Sequence, residues 1–423
     1  MVEANYRAVN MTVSEAISKI RVWGMAGVMS YFRRRLNDRR QARRFRRLAA
    51  ASRCAGPQRG VTVIGSVTGR VSLDKTLRDF VWNLRAVGVP CQVLDTTPRP
   101  MIPQKDVADL VTPDAAFDLR KYDHIVVMYR APLDPRLVPG CKICRIVFHD
   151  SAHGIHDTTP FLRASGDAIL AMSDFNYEYF KRAFVGQPVF KILYPLRFAD
   201  TSHAMPRDEL RAKCGFAEDD FVVFFNFDFG SYYRKNVLAA IRAFARAFPD
   251  EPKAKLLFKT KGAKENPRQV MEMSREIAAQ GLAPRFVHIA SFLSKAEVDG
   301  LTGACDAYLS LHKSEGFGLG MAEAMSQGKP VVATNWSANT EFCHPDTACC
   351  VPYAMTPILP HEYPVEMKEW AEADVDAAAA ALRRLYDDPA LRQGLGERGR
   401  AFVKEHFSLS NFKRDVARWL DSK

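Results

Sequence analysis

Glu315 and Glu323 stand eight residues apart in the run Ser314-Glu315-Gly316-Phe317-Gly318-Leu319-Gly320-Met321-Ala322-Glu323-Ala324-Met325. Three glycines let the backbone approach a ligand closely. The free N–H groups of a helix start, aided by its dipole, favour an anion there. An apolar strand candidate at 307–311 leads into this turn, and the following helix is ended by Gly328 and Pro330. If both acids lay on one helical element they would be separated by at most roughly 12 Å. One carboxylate could then accept hydroxyls of a sugar and the other those of a ribose, on either side of a diphosphate. An amphipathic helix with a serine cap and two solvated glutamates is the plainer alternative.

Basic residues supply the charge that such a site needs. Arg234 and Lys235 lie in a second motif, Asn226-Phe227-Asp228-Phe229 through Arg234-Lys235-Asn236, just before a helical stretch. A lysine is a compact point charge suited to a diphosphate. Adjacent basic residues at a helix start can equally be solvated. Lys259, at the expected end of another strand, is a further donor-site candidate.

The stretch from Leu309 to Thr334, taken with Lys235, resembles the donor-site signature of retaining glycosyltransferases of the family 4 type, which have the GT-B fold. The resemblance is good over about 221–340 and general in the first half. It implies that Lys235 binds the donor's diphosphate, with Arg234 and Lys259 nearby. The cradle is Gly316, Phe317, Gly318 and Leu319, while Glu315 holds the sugar and Glu323 the ribose. His149, in His149-Asp150, is implied as the group that contacts the donor sugar near the breaking bond; His153 and His156 share its loop and rival it. Asn339 and Glu341 match a loop near the donor, and read alone are cap and turn residues. Gly65-Ser66-Val67-Thr68-Gly69-Arg70 matches a loop facing acceptor and donor phosphate, which makes Gly69 and Arg70 acceptor-binding candidates. There the chain departs from the pattern, because Val71-Ser72-Leu73-Asp74 replaces the usual glycine and acid.

These residues need two sheets to carry them. The 423 residues suit two cores rather than one, and 47% hydrophobic with 26% charged residues is ordinary for a globular protein. From residue 61, β-rich runs alternate with helical stretches, which predicts βα units and parallel sheets. The expected strands of the first set are 61–64, 91–94, 124–128, 145–148, 168–171 and 190–193. Those of the second are 221–225, 255–259, 286–289, 307–311, 330–333 and 348–351. The expected organisation is a basic helical or flexible extension (1–60), a Rossmann-like acceptor domain (61–205), a Rossmann-like donor domain (206–395) and a terminal helix, about 398–420, crossing back within 396–423. Ligands should sit at the carboxyl ends of the strands.

Residues 1–60 carry 13 Arg and one Lys against three acids, a net charge of +11 that leaves only +1 for the remainder. The uncharged stretch 22–32 is too short to span a bilayer, and no signal peptide is expected. A basic helix flanked by Trp23, Met25, Met29, Tyr31 and Phe32 could lie on an anionic membrane through residues 20–50, or be simply solvated. Arginines without interleaved stacking aromatics argue against nucleic acid. Nine cysteines, with one Cys141-x-x-Cys144 and no second pair at zinc spacing, read as reduced cytosolic thiols.

The function expected is retaining transfer of a hexose, mannose among the candidates, from a nucleoside diphosphate sugar to a hydroxyl of a glycan or lipid-linked acceptor. With no Asp-x-Asp for a catalytic metal, metal independence and no cofactor are expected. A sugar-nucleotide epimerase or phosphorylase, and a non-catalytic scaffold docking on membranes or acidic partners, are the alternatives. The expected location is cytoplasmic, free or peripheral on the inner membrane face.

Overall fold

The computed structural model describes residues 32–33, 35–54, 56–69, 72–98, 107, 109–128, 131–148, 166–198, 206–291, 293–359, 362 and 369–422. Two six-stranded parallel sheets dominate them. The first contains β1 (Gln58–Gly65), β2 (Cys91–Asp95), β3 (Tyr122–Met128), β4 (Lys142–Ile146), β5 (Ala168–Ala171) and β6 (Val189–Lys191), in the order β2-β1-β3-β4-β5-β6. The second contains β7 (Phe221–Asp228), β8 (Ala254–Lys261), β9 (Phe286–Ile289), β10 (Ala307–Ser310), β11 (Val331–Thr334) and β12 (Cys349–Val351), in the order β12-β11-β10-β7-β8-β9. Strands such as β7, whose first five residues Phe-Val-Val-Phe-Phe are all buried, show the continuous apolar run that a sheet covered on both faces requires.

Each order reverses direction once. The reversals fall between β1 and β3 in the first sheet and between β7 and β10 in the second, and crevices open there at the carboxyl ends. The loops after β1, β7 and β10 therefore lie at these reversal points.

Several boundaries differ from expectation. β7 runs on through Asp228, so Asn226 to Asp228 belong to the strand and not to its loop. β8 extends to Lys261, which places Lys259 inside it, paired with Asn226 of β7. β4 opens at Lys142, ahead of Cys144. An antiparallel hairpin, β13 (Tyr353–Pro357) with β14 (Glu369–Ala373), was not anticipated. The single helix expected over 398–420 is two, Pro389–His406 and Leu409–Leu420, because Ser408 caps the second by accepting from Asn411 N.

Residues 35–50 are helical, and Phe45, Leu48 and Ala49, at i, i+3 and i+4, are buried against Ile64, Leu94 and Leu119. The basic segment is thus partly built into the first core. Its opposite side carries exposed Arg39, Arg40, Arg43, Arg46 and Arg47, with Phe32 and Leu36 exposed nearby. Residues 22–31 of the uncharged stretch lie outside the described residues. No helix among the described residues is long and apolar enough to cross a membrane.

The terminal helix Leu409–Leu420 lies on the first sheet's side. Phe412 meets Phe80 edge-on at 5.9 Å, and Trp419 donates its Nε1–H to Cys144 Sγ at 3.3 Å. Burial pushes the Cys144 thiol up to about 12 and that of Cys141 up to about 11, which makes the Cys-x-x-Cys pair poor in thiolate.

Candidate active site

The second sheet's reversal point brings the two motifs together. After β10, residues 311–318 are all buried, and the chain turns into the Leu319–Ser326 helix. Gly318 caps that helix at φ 93°, a left-handed conformation that calls for glycine, whereas a Cβ there would only push aside the flexible end of Met321. At Gly320 a Cβ would fall 2.2 Å from the buried Tyr308 hydroxyl, so only glycine lets the helix sit this low on β10. The main-chain N–H groups of Gly316, Phe317, Gly318 and Leu319 find no acceptor among the described residues, the last two as expected at a helix start and the first two in the turn before it.

Glu315 precedes this turn, outside the helix, so only the stretch from Leu319 to Glu323 is helical spacing. Glu315 is 7% exposed. Lys235 Nζ donates to its Oε1, and Arg234 Nη1 lies 3.4 Å from its Oε2. Burial pushes the carboxyl up, but Lys235 and Arg234 more than offset this and hold it at about 2. Arg234 also donates to Ser314 O at 2.8 Å, and Lys313 N donates to Arg234 O at 2.7 Å. The loops after β7 and β10 are therefore knitted by main chain as well as charge.

The support beneath this pair was only partly legible in the sequence. Glu315 N donates to Ser337 Oγ at 2.8 Å, and Ala338 N to Glu315 O at 3.2 Å. Ser337 adopts φ 72°, ψ −155°, a region that non-glycine residues occupy at a cost of about 1–3 kcal/mol, held here by its surroundings. His312, fully buried, lies within hydrogen-bond reach of Asn339 Oδ1 (2.9 Å) and Ser310 Oγ (3.1 Å); burial lowers its pKa, which favours the neutral ring. Asn236, at φ 54°, donates to Glu372 Oε1 at 2.8 Å, and Glu372 pairs with Lys313 at 2.7 Å. The unanticipated hairpin thus fixes both cationic and anionic loops. His312 and Lys313 lay in plain view within the motif, whereas Glu372 gave no local signal.

The other expected residues fall in different places. Lys259 is 8% exposed and forms no ion pair among the described residues; burial and Lys261 lower its pKa, while Asp228 opposes them. The Phe317 side chain faces the first sheet's side, stacked on Tyr194 with centroids 3.7 Å apart and planes 8° apart. Ser173 Oγ and Asn176 Nδ2 both donate to Gly316 O, at 3.2 and 3.1 Å, so the turn is clasped from across the crevice. Glu323 lies between Lys295 (3.3 Å) and Lys75 (3.5 Å). Asn339 is buried behind Glu315 against His312, and Glu341 pairs with Lys191 (2.8 Å) and His406 (3.1 Å) at the seam between the lobes. Gly69 is buried and its Cα hydrogen face abuts Asp74, whose Oδ2 would lie 2.1 Å from a Cβ. Arg70, His149, Asp150, His153 and His156 lie outside the described residues.

The arrangement offers cations, main-chain N–H groups and a carboxylate at one reversal point, which suits an extended anionic ligand with hydroxyls. Known proteins agree with this architecture. Residues 221–388 match the model of the family described as Glycosyl transferases group 1. Over 132 residues the chain is 34% identical to the MMP alpha-(1->4)-mannosyltransferase of Mycolicibacterium hassiacum, a match covering 31% of this chain and 28% of that protein. Over 156 residues it is 26% identical to human Alpha-1,3/1,6-mannosyltransferase ALG2, covering 37% of this chain and 33% of that one. The matches thus span about a third of these curated relatives. A glycosyltransferase structure from Rickettsia africae aligns with a TM-score of 0.65 at 15% identity, covering 86% of this chain and 98% of that one. Anabaena HepE, solved with UDP and glucose, aligns at 0.59 and 16% identity, covering 86% and 100%. The chain has the GT-B fold, and its second sheet with the surrounding helices matches the group 1 glycosyltransferases.

Proposed function

We propose that the protein is a retaining glycosyltransferase that moves a hexose from a nucleoside diphosphate sugar to a hydroxyl of a glycan or lipid-linked acceptor. The observation that carries this reading is the Arg234–Lys235–Glu315 constellation beside the Gly316–Leu319 turn at the β7/β10 reversal. Two mannosyltransferases among the sequence relatives favour mannose as the sugar.

In this mechanism negative charge grows on the leaving diphosphate as the sugar gains oxocarbenium character. Lys235 and the main-chain N–H groups of Gly316, Phe317, Gly318 and Leu319 stabilise that charge. Arg234 holds the Ser314 carbonyl and faces Glu315, so it sets the geometry of the anion site. Lys259, a buried ammonium without an ion-pair partner among the described residues, gains from a nearby anion what burial takes from it. Glu315, anionic at neutral pH, accepts sugar hydroxyls; Glu323 accepts those of the ribose. His149 takes the sugar's far side, and Gly69 and Arg70 the acceptor's. These cations are proposed to do the work without a metal ion.

The test is donor turnover by purified protein, with the configuration of the newly formed anomer read by NMR. Glu315→Ala and Lys235→Ala are each expected to lose at least about 100-fold in kcat, the scale of removing one preorganised charge-stabilising group. Near wild-type donor consumption in both folded variants, or an inverted product, would overturn the reading.

A further inference from the structure

Glu323 is the middle of an alternating chain of charges that crosses the crevice. Asp299 pairs with Lys295 on the Lys295–Ala304 helix, Lys295 Nζ lies 3.3 Å from Glu323 Oε1, Lys75 Nζ lies 3.5 Å from the same oxygen, and Lys75 pairs with Asp79. Lys75 and Asp79 belong to the Ser72–Ala86 helix, on the first sheet's side, while the other three belong to the second. The outer acids are nearly inaccessible, with side chains 3% exposed for Asp79 and 7% for Asp299. Glu323 Oε1 is itself enclosed and receives no hydrogen bond of good geometry, although two ammonium groups flank it.

This geometry decides which neighbour can yield. A hydroxyl reaches an enclosed oxygen only when one of its flanking groups moves aside. Lys295 is tied to Asp299 four residues along its own helix and travels with Glu323. Lys75 stands on the opposite lobe, where Asp79 keeps a partner for its ammonium when it swings away from Glu323. Resting on the reading that Glu323 binds the donor's ribose, we propose that Lys75 is a placeholder for that ribose. Its ammonium competes with the ribose hydroxyls for Glu323, so that nucleotide binding ends the Lys75–Glu323 contact. Lys295 is the positioning residue that keeps the Glu323 carboxylate aimed while the exchange takes place.

The competition predicts opposite effects from two lysines around one carboxylate. In calorimetric titrations with UDP and GDP, Lys75→Met should bind the nucleotide that wild type prefers about three- to tenfold more tightly, because the competing state is removed. Lys295→Met should bind it more weakly. Inorganic pyrophosphate, which has no ribose, should bind wild type and Lys75→Met alike. If Lys75→Met proves unstable because Asp79 loses its partner, the double variant Lys75→Gln/Asp79→Asn carries the same test with both charges removed. Unchanged or weaker nucleotide binding in a folded Lys75 variant overturns the placeholder. Glu323→Gln separates the two levels: wild-type nucleotide affinity in that variant sinks the ribose reading itself. Weakened affinity there without tightening in the Lys75 variants sinks only the exchange.

Discussion

The loops that follow β1 and β7 hold equivalent places, each joining the first strand of a parallel sheet to its helix, yet they are held by different means. After β1, Asp95 accepts from Val67 N (2.9 Å), Thr68 Oγ1 (2.6 Å) and Thr97 N (3.0 Å), while Arg78 donates to Val67 O (2.6 Å) and Gly69 O (2.9 Å). Among the described residues there, Asp95 and Arg78 both turn inward on the loop's own groups. After β7, Arg234 and Lys235 reach out of the loop to a carboxylate on the neighbouring strand's turn. Two sheets of the same architecture therefore differ in electrostatics: one loop is braced as a rigid wall, and the other presents cations that an anionic ligand can recruit. Fold is repeated, and the outward cation–carboxylate pairing stands at one copy's loop.

That contrast can be broken at either end. The largest stability effect should come from Asp95→Ala, which strips acceptors from several donors at once and is expected to cost about 2–4 kcal/mol by the usual cost of unsatisfied buried groups. Chemical denaturation measures this, and because the loop is a wall, GDP and UDP affinity should stay at the wild-type value. A variant that keeps its stability but loses nucleotide affinity would show that the first loop, too, is built for the anion.

Acid titration gives a somewhat smaller effect on the other loop. The Glu315 carboxyl is depressed from 4.5 to about 2 by its two basic partners against burial. A depressed carboxyl contributes stability above its unfolded pKa and loses it as pH falls toward the folded value. Wild type should therefore lose up to about 3 kcal/mol between pH 4.5 and 2 through this group. Glu315→Gln should show a shallower dependence in that window. Parallel stability curves for the two proteins would mean that the ion pair is not held in solution as the structure holds it.

Much of the second sheet's turn was readable because it is local. Gly318 and Gly320 sit where a left-handed residue and a close approach to Tyr308 are required, and a strand–turn–helix with such glycines is written in consecutive residues. The sheets were readable for the same reason, since β3, β5 and β7 are near-continuous apolar runs. What the sequence hid is long-range. Glu372, which steadies both Asn236 and Lys313, reaches the site only because β13 and β14 form a hairpin. The Lys75–Glu323 contact joins residues nearly 250 positions apart, and no spacing rule announces it. Two other features carry local signals: Phe45, Leu48 and Ala49 form a helical apolar stripe inside the arginine run, and Ser408 is a helix cap inside the stretch 398–420.

The central claim is that a cationic loop after β7 grips a diphosphate at the second sheet's reversal point. Isothermal titration of GDP and UDP into wild type and Lys235→Ala tests it without need of an acceptor. The account predicts micromolar binding of one of the two nucleotides by wild type and a loss of at least about 30-fold in the variant, the scale of a charge-assisted contact to a buried phosphate. Equal affinity in both proteins, with the variant folded, would contradict it.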